Sequence, residues 1–248
     1  MSSVAIIGDS WVYDWRLAYN ANFRGNQFKY SCSKASDPRG HLSVPMRNYA
    51  QPSFKLSDLG GDKGELFIDD WANNVPSLTV LHAGACDLTA VNIPELQVLN
   101  TIKKNYNAHM RKYVQLWTEK AKDKAVDTEM YEAALADHRW LLIEPPNWGF
   151  DFEARTAVDS NLYCQKRVRA RESLRKYKSW SWESLSVAIV KPYIVQFSYD
   201  GNHLTREAQS LYLEGMGRAM AAMLCTHCRT PIGTYIWPHH RDLKHHDL

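Results

Sequence analysis

Serine, histidine and carboxylate together are the ingredients of acyl transfer, in which imidazole takes the serine proton and the carboxylate orients the imidazole. This sequence offers all three beside glycine-containing turns. Ser10 follows Gly8-Asp9 at the end of a short apolar run, and His203 follows Asp200-Gly201-Asn202 just before a helical pattern. Two further stretches, Gly60-Gly61-Asp62 and Gly84-Ala85-Cys86-Asp87, also close apolar runs. Each has a plainer reading. Gly-Asp-Ser often marks an ordinary turn, and Asp-Gly-Asn is a good turn that His203 could simply cap.

These residues can cooperate only if the elements before them end along one edge. The run Val4–Ile7 is β-branched and ends at Gly8, which suits a buried strand. Phe54, Leu56 and Leu59 flank a second candidate strand that runs into Gly60-Gly61, and Leu78–His82 gives a third. Trp140–Ile143, stopped by Pro145-Pro146, and Ser186–Val190 complete the set. Between them, Ile102 to Lys122 carries Tyr106, Met110, Tyr113, Val114 and Trp117 near a 3.6-residue period. Thr205 to Leu224 has a poor capping box but a clear stripe of Leu211, Tyr212, Met216, Met220 and Met223.

Strands alternating with helices predict an α/β fold, a three-layer flavodoxin-like sandwich around a mostly parallel sheet. In such sheets function sits at the carboxyl ends of the strands, where the four stretches fall. The pattern covers residues 1–224 as one domain and leaves 225–248 as a tail. No internal repeat appears.

The order and spacing of the four stretches resemble the SGNH hydrolases, the GDSL-type esterases and lipases. Gly8-Asp9-Ser10 matches that family's first block, Gly61-Asp62-Lys63 fits the place of the second, and Asp200 to His203 match the last. Gly84-Ala85-Cys86-Asp87 matches the third, Gly-x-Asn-Asp, at three of its four points. The resemblance implies that Ser10 is the nucleophile, His203 the general base and then acid, and Asp200 the orienting carboxylate. It implies an oxyanion hole built from the backbone N–H groups of Ser10 and Gly61, with a third donor where Cys86 replaces asparagine. A thiol donates weakly, and loss of a good oxyanion donor costs about 3–4 kcal/mol of transition-state stabilisation. Cys86 therefore predicts a slower enzyme. Read on its own, Cys86 is either a second nucleophile, which needs a cationic or dipolar neighbour, or a small half-buried residue lining the pocket.

Aromatic residues near Ser10 suggest a platform for a sugar ring or an acyl chain. Trp11 follows it directly, and Trp148 lies beyond the fourth strand. The alternative is that Trp11 and Trp15, four apart, pack the first helix on the sheet.

Composition narrows the rest. A net charge of +3, 45% hydrophobic and 23% charged residues describe an ordinary globular protein, which excludes disorder, collagen-like repeats and coiled coil. The basic run at 166–178 (KRVRARESLRKYK) could bind a polyanion such as RNA, or be a solvated helix face. No apolar run of roughly 18 residues spans a bilayer. With five cysteines and no leader ahead of Val4, the expected location is cytoplasmic. Cys225 and Cys228 in the tail, followed by histidines, form half of a zinc pattern whose second half is poorly formed; a mobile polar tail and a redox dithiol are the other readings. The sequence thus predicts a serine esterase that acts through an acyl-enzyme on Ser10, with no cofactor or metal, on a small-molecule, carbohydrate or lipid ester. The alternative is a catalytically weakened binding or scaffold protein.

Overall fold

The computed structural model describes residues 2–18, 20–31, 41–83, 86, 112–143, 186–191, 206–225 and 234–236. Its strands are β1 (Val4–Gly8), β2 (Phe23–Arg24), β3 (Gln27–Ser31), β4 (His41–Asn48), β5 (Leu78–His82), β6 (Arg139–Ile143), β7 (Ser186–Lys191) and β8 (Thr234–Ile236). They form one sheet in the order β2-β3-β4-β1-β5-β6-β7-β8. From β4 to β8 every neighbouring pair is parallel, while β2, β3 and β4 pair antiparallel. The fold is α/β on a mostly parallel sheet, as the alternation of elements predicts.

The central strands read as continuous apolar runs because both faces of the sheet are covered. Side chains alternate across a strand, and β1 sorts accordingly. Val4 and Ile6 join one core with Leu78, Val80, Leu141, Ile143 and the helix α6 (Arg206–Leu224). Ala5 and Ile7 join the other, with Leu81, Trp140 and Leu142. After two short helices, α1 (Asp14–Leu17) and α2 (Asp62–Glu65), that second core is capped by Ile68, Trp71 and Ala72 of helix α3 (Ile68–Asn73) and by Val114, Trp117 and Ala121 of the helix α4 at 112–124. Two buried cores, one on each face, make three layers. Of the stripe predicted in α6, Tyr212, Met216, Met220 and Met223 lie in the first core, and the Leu211 side chain is outside the described residues.

Several elements differ from the sequence expectation. Phe54, Leu56 and Leu59 are buried, but they flank no strand; residues Leu56–Gly60 form a 3₁₀ turn. The strand beside β1 on the side away from β5 is β4, which ends at Asn48 and contains Pro45. A proline inside a run argues against a central strand, since it has no N–H for the ladder. Here it falls at a hand-over. Pairing with β3 runs from His41 to Pro45, and pairing with β1 begins at Met46. A helix α5 (Thr128–Asp137) is also added, started by Asp127, whose side chain accepts from the Met130 N–H at 2.9 Å. Finally, β8 comes from the segment assigned to the tail and pairs with β7 in parallel.

The chain order places β1 at a switch point. It is followed by β4 on one side and then by β5 on the other. Connections diverge there, and in open α/β sheets the crevice at that point, outside the carboxyl ends, is where ligands bind.

Candidate active site

Ser10 leaves the carboxyl end of β1 on a turn that its neighbours define closely. Gly8 is required by space: a Cβ there would stand 2.6 Å from the His82 carbonyl oxygen and 2.8 Å from Val12 Cγ2. The N–H of Asp9 donates to that same His82 carbonyl at 3.3 Å, and the Val12 N–H donates back to Asp9 at 3.2 Å. Asp9 Oδ1 accepts the Trp11 N–H at 2.9 Å, an Asx-type turn that holds the chain in place. Asp9 therefore stabilises the turn, as such a residue should. Among Gly8 to Val12, Ser10 alone is not buried. The motif leaves one residue half-buried in an otherwise enclosed turn.

The loop after β4 lies directly against this turn. Asn48 bridges them: its Nδ2 donates to the Val12 carbonyl at 2.7 Å, and its Oδ1 accepts the Ala50 N–H at 2.9 Å. Gln51 N–H donates to the Gly8 carbonyl at 2.8 Å. Two residues on, Ser53 has φ 61°, in the left-handed region that costs a side-chain-bearing residue roughly 1–2 kcal/mol. Gly61, expected to present its N–H to an oxyanion, is engaged elsewhere. It closes the 3₁₀ turn by donating to Asp58 at 3.2 Å. Nor is glycine sterically required there, since a Cβ would meet nothing closer than 3.5 Å. The sequence reading passed over Asn48 and the 48–53 loop because it put the strand end too late. A polar residue closing the alternation Leu42, Val44, Met46 was the available signal.

Beneath Ser10 is a group of buried polar side chains. His82, at the end of β5, is fully buried, with Nδ1 3.2 Å from Asp9 Oδ1 and Nε2 2.5 Å from the Tyr212 hydroxyl. Trp11 is 2% exposed; it stacks on the His82 ring at 6.2 Å and meets Tyr212 edge-on at 5.2 Å. Of the two readings weighed for Trp11, the structure gives packing in the core. Burial, with the nearby Asp9 carboxylate, pushes the Tyr212 phenol well above its ordinary pKa, so it is a neutral hydroxyl.

Helix α6 sets the direction from which the last motif arrives. Near its start Tyr212 reaches His82 at the carboxyl end of β5, and near its finish Arg139, opening β6, donates to the Met223 carbonyl at 2.5 Å. The helix therefore runs antiparallel to the strands and begins at the edge that carries Ser10.

Asp200, His203 and Trp148 lie outside the described residues, as do Cys228 and the basic run at 166–178. Cys86 is described and half-buried. Cys225 is 4% exposed in the first core, its N–H donating to Ala221 at 2.9 Å. Among the described residues, no group of three metal-ligating side chains occurs, and no helix is long and apolar enough to cross a membrane. A cleft of about 450 Å³ opens at the opposite edge of the sheet, lined by Ser3, Val4, Asn74, Val75 and Pro76 among others. It contains none of the predicted site residues.

No family model matches the sequence, and no curated protein matches it. Among solved structures, the chain is similar to a lipase from a goat rumen metagenome at 14% identity, over 88% of this chain and 98% of that one, with a TM-score of 0.44. It is similar to a protein of Slackia heliotrinireducens proposed to be an SGNH hydrolase, at 10% identity over 88% and 98%, TM-score 0.45. A carbohydrate esterase of family 3 from Talaromyces cellulolyticus is similar at 11% over 90% and 98%, TM-score 0.41.

Proposed function

We propose that the chain is a serine ester hydrolase that works through an acyl-enzyme on Ser10. One observation carries the reading: Ser10 is the single unburied residue of a tightly braced turn at the carboxyl end of β1, beside the switch point of the sheet. The direction of α6 supports the remaining assignments. His203 precedes the first residue of that helix by three positions, and the helix starts at the same edge as Ser10.

In this reading Ser10 Oγ attacks the ester carbonyl while His203 accepts its proton, with Asp200 holding the imidazole in the productive tautomer. The carbonyl π bond opens to an oxyanion. When it reforms, the alkoxide leaves and takes the proton from His203. Water then repeats the sequence on the acyl-enzyme and returns Ser10. The oxyanion is stabilised by the Ser10 N–H, with Cys86 beside it as a weak donor. Gly61 can contribute only by leaving the Asp58 carbonyl, and the 48–53 loop is no better a source, since the Tyr49, Ala50 and Gln51 N–H groups are engaged and Pro52 has none. No cofactor or metal takes part. Substrates are esters of small molecules, carbohydrates or lipids, and the compartment is cytoplasmic.

A second reading has its own observation. The occupied Gly61 N–H and the thiol of Cys86 both weaken oxyanion stabilisation, which suits a protein of the same fold that binds an ester and turns it over slowly. A fluorophosphonate probe decides between them, with the modified residue mapped by mass spectrometry. Labelling at Ser10 that disappears in Ser10→Ala and His203→Ala establishes the nucleophile and its base. Absence of labelling in folded protein overturns hydrolysis and leaves binding.

A further inference from the structure

The buried polar chain under Ser10 has no part in the hydrolytic steps above, and its cost calls for a role. A carboxylate, an imidazole and a phenol, 0%, 0% and 4% exposed, are taken out of water together, where an unsatisfied polar group is costly. They lie in a row: Asp9 Oδ1 is 3.2 Å from His82 Nδ1, close but without a hydrogen bond, and His82 Nε2 is hydrogen-bonded to Tyr212 Oη at 2.5 Å. The chain starts on the residue before the nucleophile and ends on the helix that follows the predicted base. His82 holds the turn through its carbonyl, which accepts the Asp9 N–H, and its ring stands 3.2 Å from Asp9 Oδ1. The ring that Trp11 stacks on is the same one, so both neighbours of Ser10 in sequence bear on His82.

We infer that Tyr212 is a positioning residue for Ser10, acting through His82 and Asp9 to hold the nucleophile turn in register with the start of α6. This rests on the reading of Ser10 as the nucleophile. His82 Nδ1 faces Asp9 Oδ1 at 3.2 Å without a hydrogen bond, so the one side-chain hydrogen bond that orients the ring is the one between Nε2 and the Tyr212 hydroxyl. In this inference that hydroxyl donates to Nε2, which puts the His82 proton on Nδ1, toward the carboxylate. Removing that hydroxyl frees Nε2, loosens the choice of tautomer and with it the ring's place beside Asp9.

The test is Tyr212→Phe, which keeps the ring and removes the oxygen. Labelling of Ser10 by a fluorophosphonate is expected to slow roughly ten- to a hundredfold, the scale on which small misplacements act. With p-nitrophenyl acetate, kcat should fall by the same factor while KM stays within about twofold. Met220→Ala, a cavity in the same helix, serves as the control for simple destabilisation and should leave the labelling rate unchanged. Two signals need no activity: the His82 imidazole nitrogens and the backbone amides of Asp9, Ser10 and Trp11, read by NMR. In the unmodified chain a proton on Nδ1 supports the inference, and a bare Nδ1 overturns it even if Tyr212→Phe fails to fold. Unchanged amide shifts in the variant overturn it as well. Should the unmodified protein not label at all, the nucleophile reading falls, and the amide shifts alone decide whether Tyr212 positions the turn.

Discussion

Two histidines are equally hidden in this molecule, one at each end of the sheet, and they are held in opposite ways. His82 closes β5 at the carboxyl edge, with one nitrogen hydrogen-bonded to a phenol and the other facing a carboxylate at 3.2 Å without a hydrogen bond. His138 precedes β6 at the amino edge; its Nδ1 lies 2.6 Å from the Pro76 carbonyl, and its Nε2 is buried with no hydrogen-bond partner among the described residues. The rings of Trp71 and Trp140 meet His138 edge-on, at 5.2 and 5.3 Å. One imidazole stands among polar groups beside the Ser10 turn. The other is treated as an aromatic filler. Burial alone therefore does not distinguish the two; the chemistry of their neighbours does.

The sharpest way to test that division is to remove the group each end is held to serve. Ser10→Ala should abolish ester hydrolysis and fluorophosphonate labelling, a loss of at least roughly a thousandfold, while the thermal midpoint stays unchanged. A parallel loss of stability would mean that Ser10 is part of the turn's bracing instead. His82→Leu comes next. It strips the buried Asp9 carboxylate of its imidazole and should cost about 3–5 kcal/mol in denaturant unfolding, together with any labelling of Ser10. If it proves neutral, the two histidines are alike after all.

His138 should declare itself through pH. Burial holds its pKa at about 4 in the folded chain, whereas the unfolded chain takes up that proton near pH 6.5. Between those values the unfolded state binds more protons, so stability falls as the solution is acidified, by roughly 3 kcal/mol over the whole window. Above about pH 6.5 the group has no effect. Unfolding curves for His138→Gln should show that slope flattened; a slope that persists would have to come from another group. The smallest effect belongs to the loop beside the turn. At φ 61° Ser53 is strained, and Ser53→Gly should gain about 0.5 kcal/mol once glycine's own entropy is counted, seen as a small rise in midpoint.

What could be read from the chain beforehand follows from how local each signal is. Val4–Ile7, Leu78–His82 and Trp140–Ile143 are unbroken apolar runs, and each is a strand buried on both faces. The stripe of α6 is equally local. β4 was hidden because Pro45 looks like a breaker, and only the hand-over between two partners makes it tolerable. That one miss displaced the second motif: with the strand end sought at Gly60-Gly61, the loop around Asn48 went unread. Ser10 was legible because its motif is compact. The chain beneath it was not, since Asp9, His82 and Tyr212 come from three elements and no spacing in the sequence announces their meeting.

The last of those contacts also has a consequence in time. His82 and Tyr212 are 130 positions apart, so a ribosome that has released the Gly-Asp-Ser turn and β5 must add more than half the chain again before the phenol that braces them exists. At about 5–20 residues per second, the turn spends several seconds with its carboxylate and imidazole beside one another and no third member. Reactivity at Ser10 should therefore appear late in synthesis, and a probe that labels this serine would report arrival of the final helix rather than formation of the strand on which the serine sits.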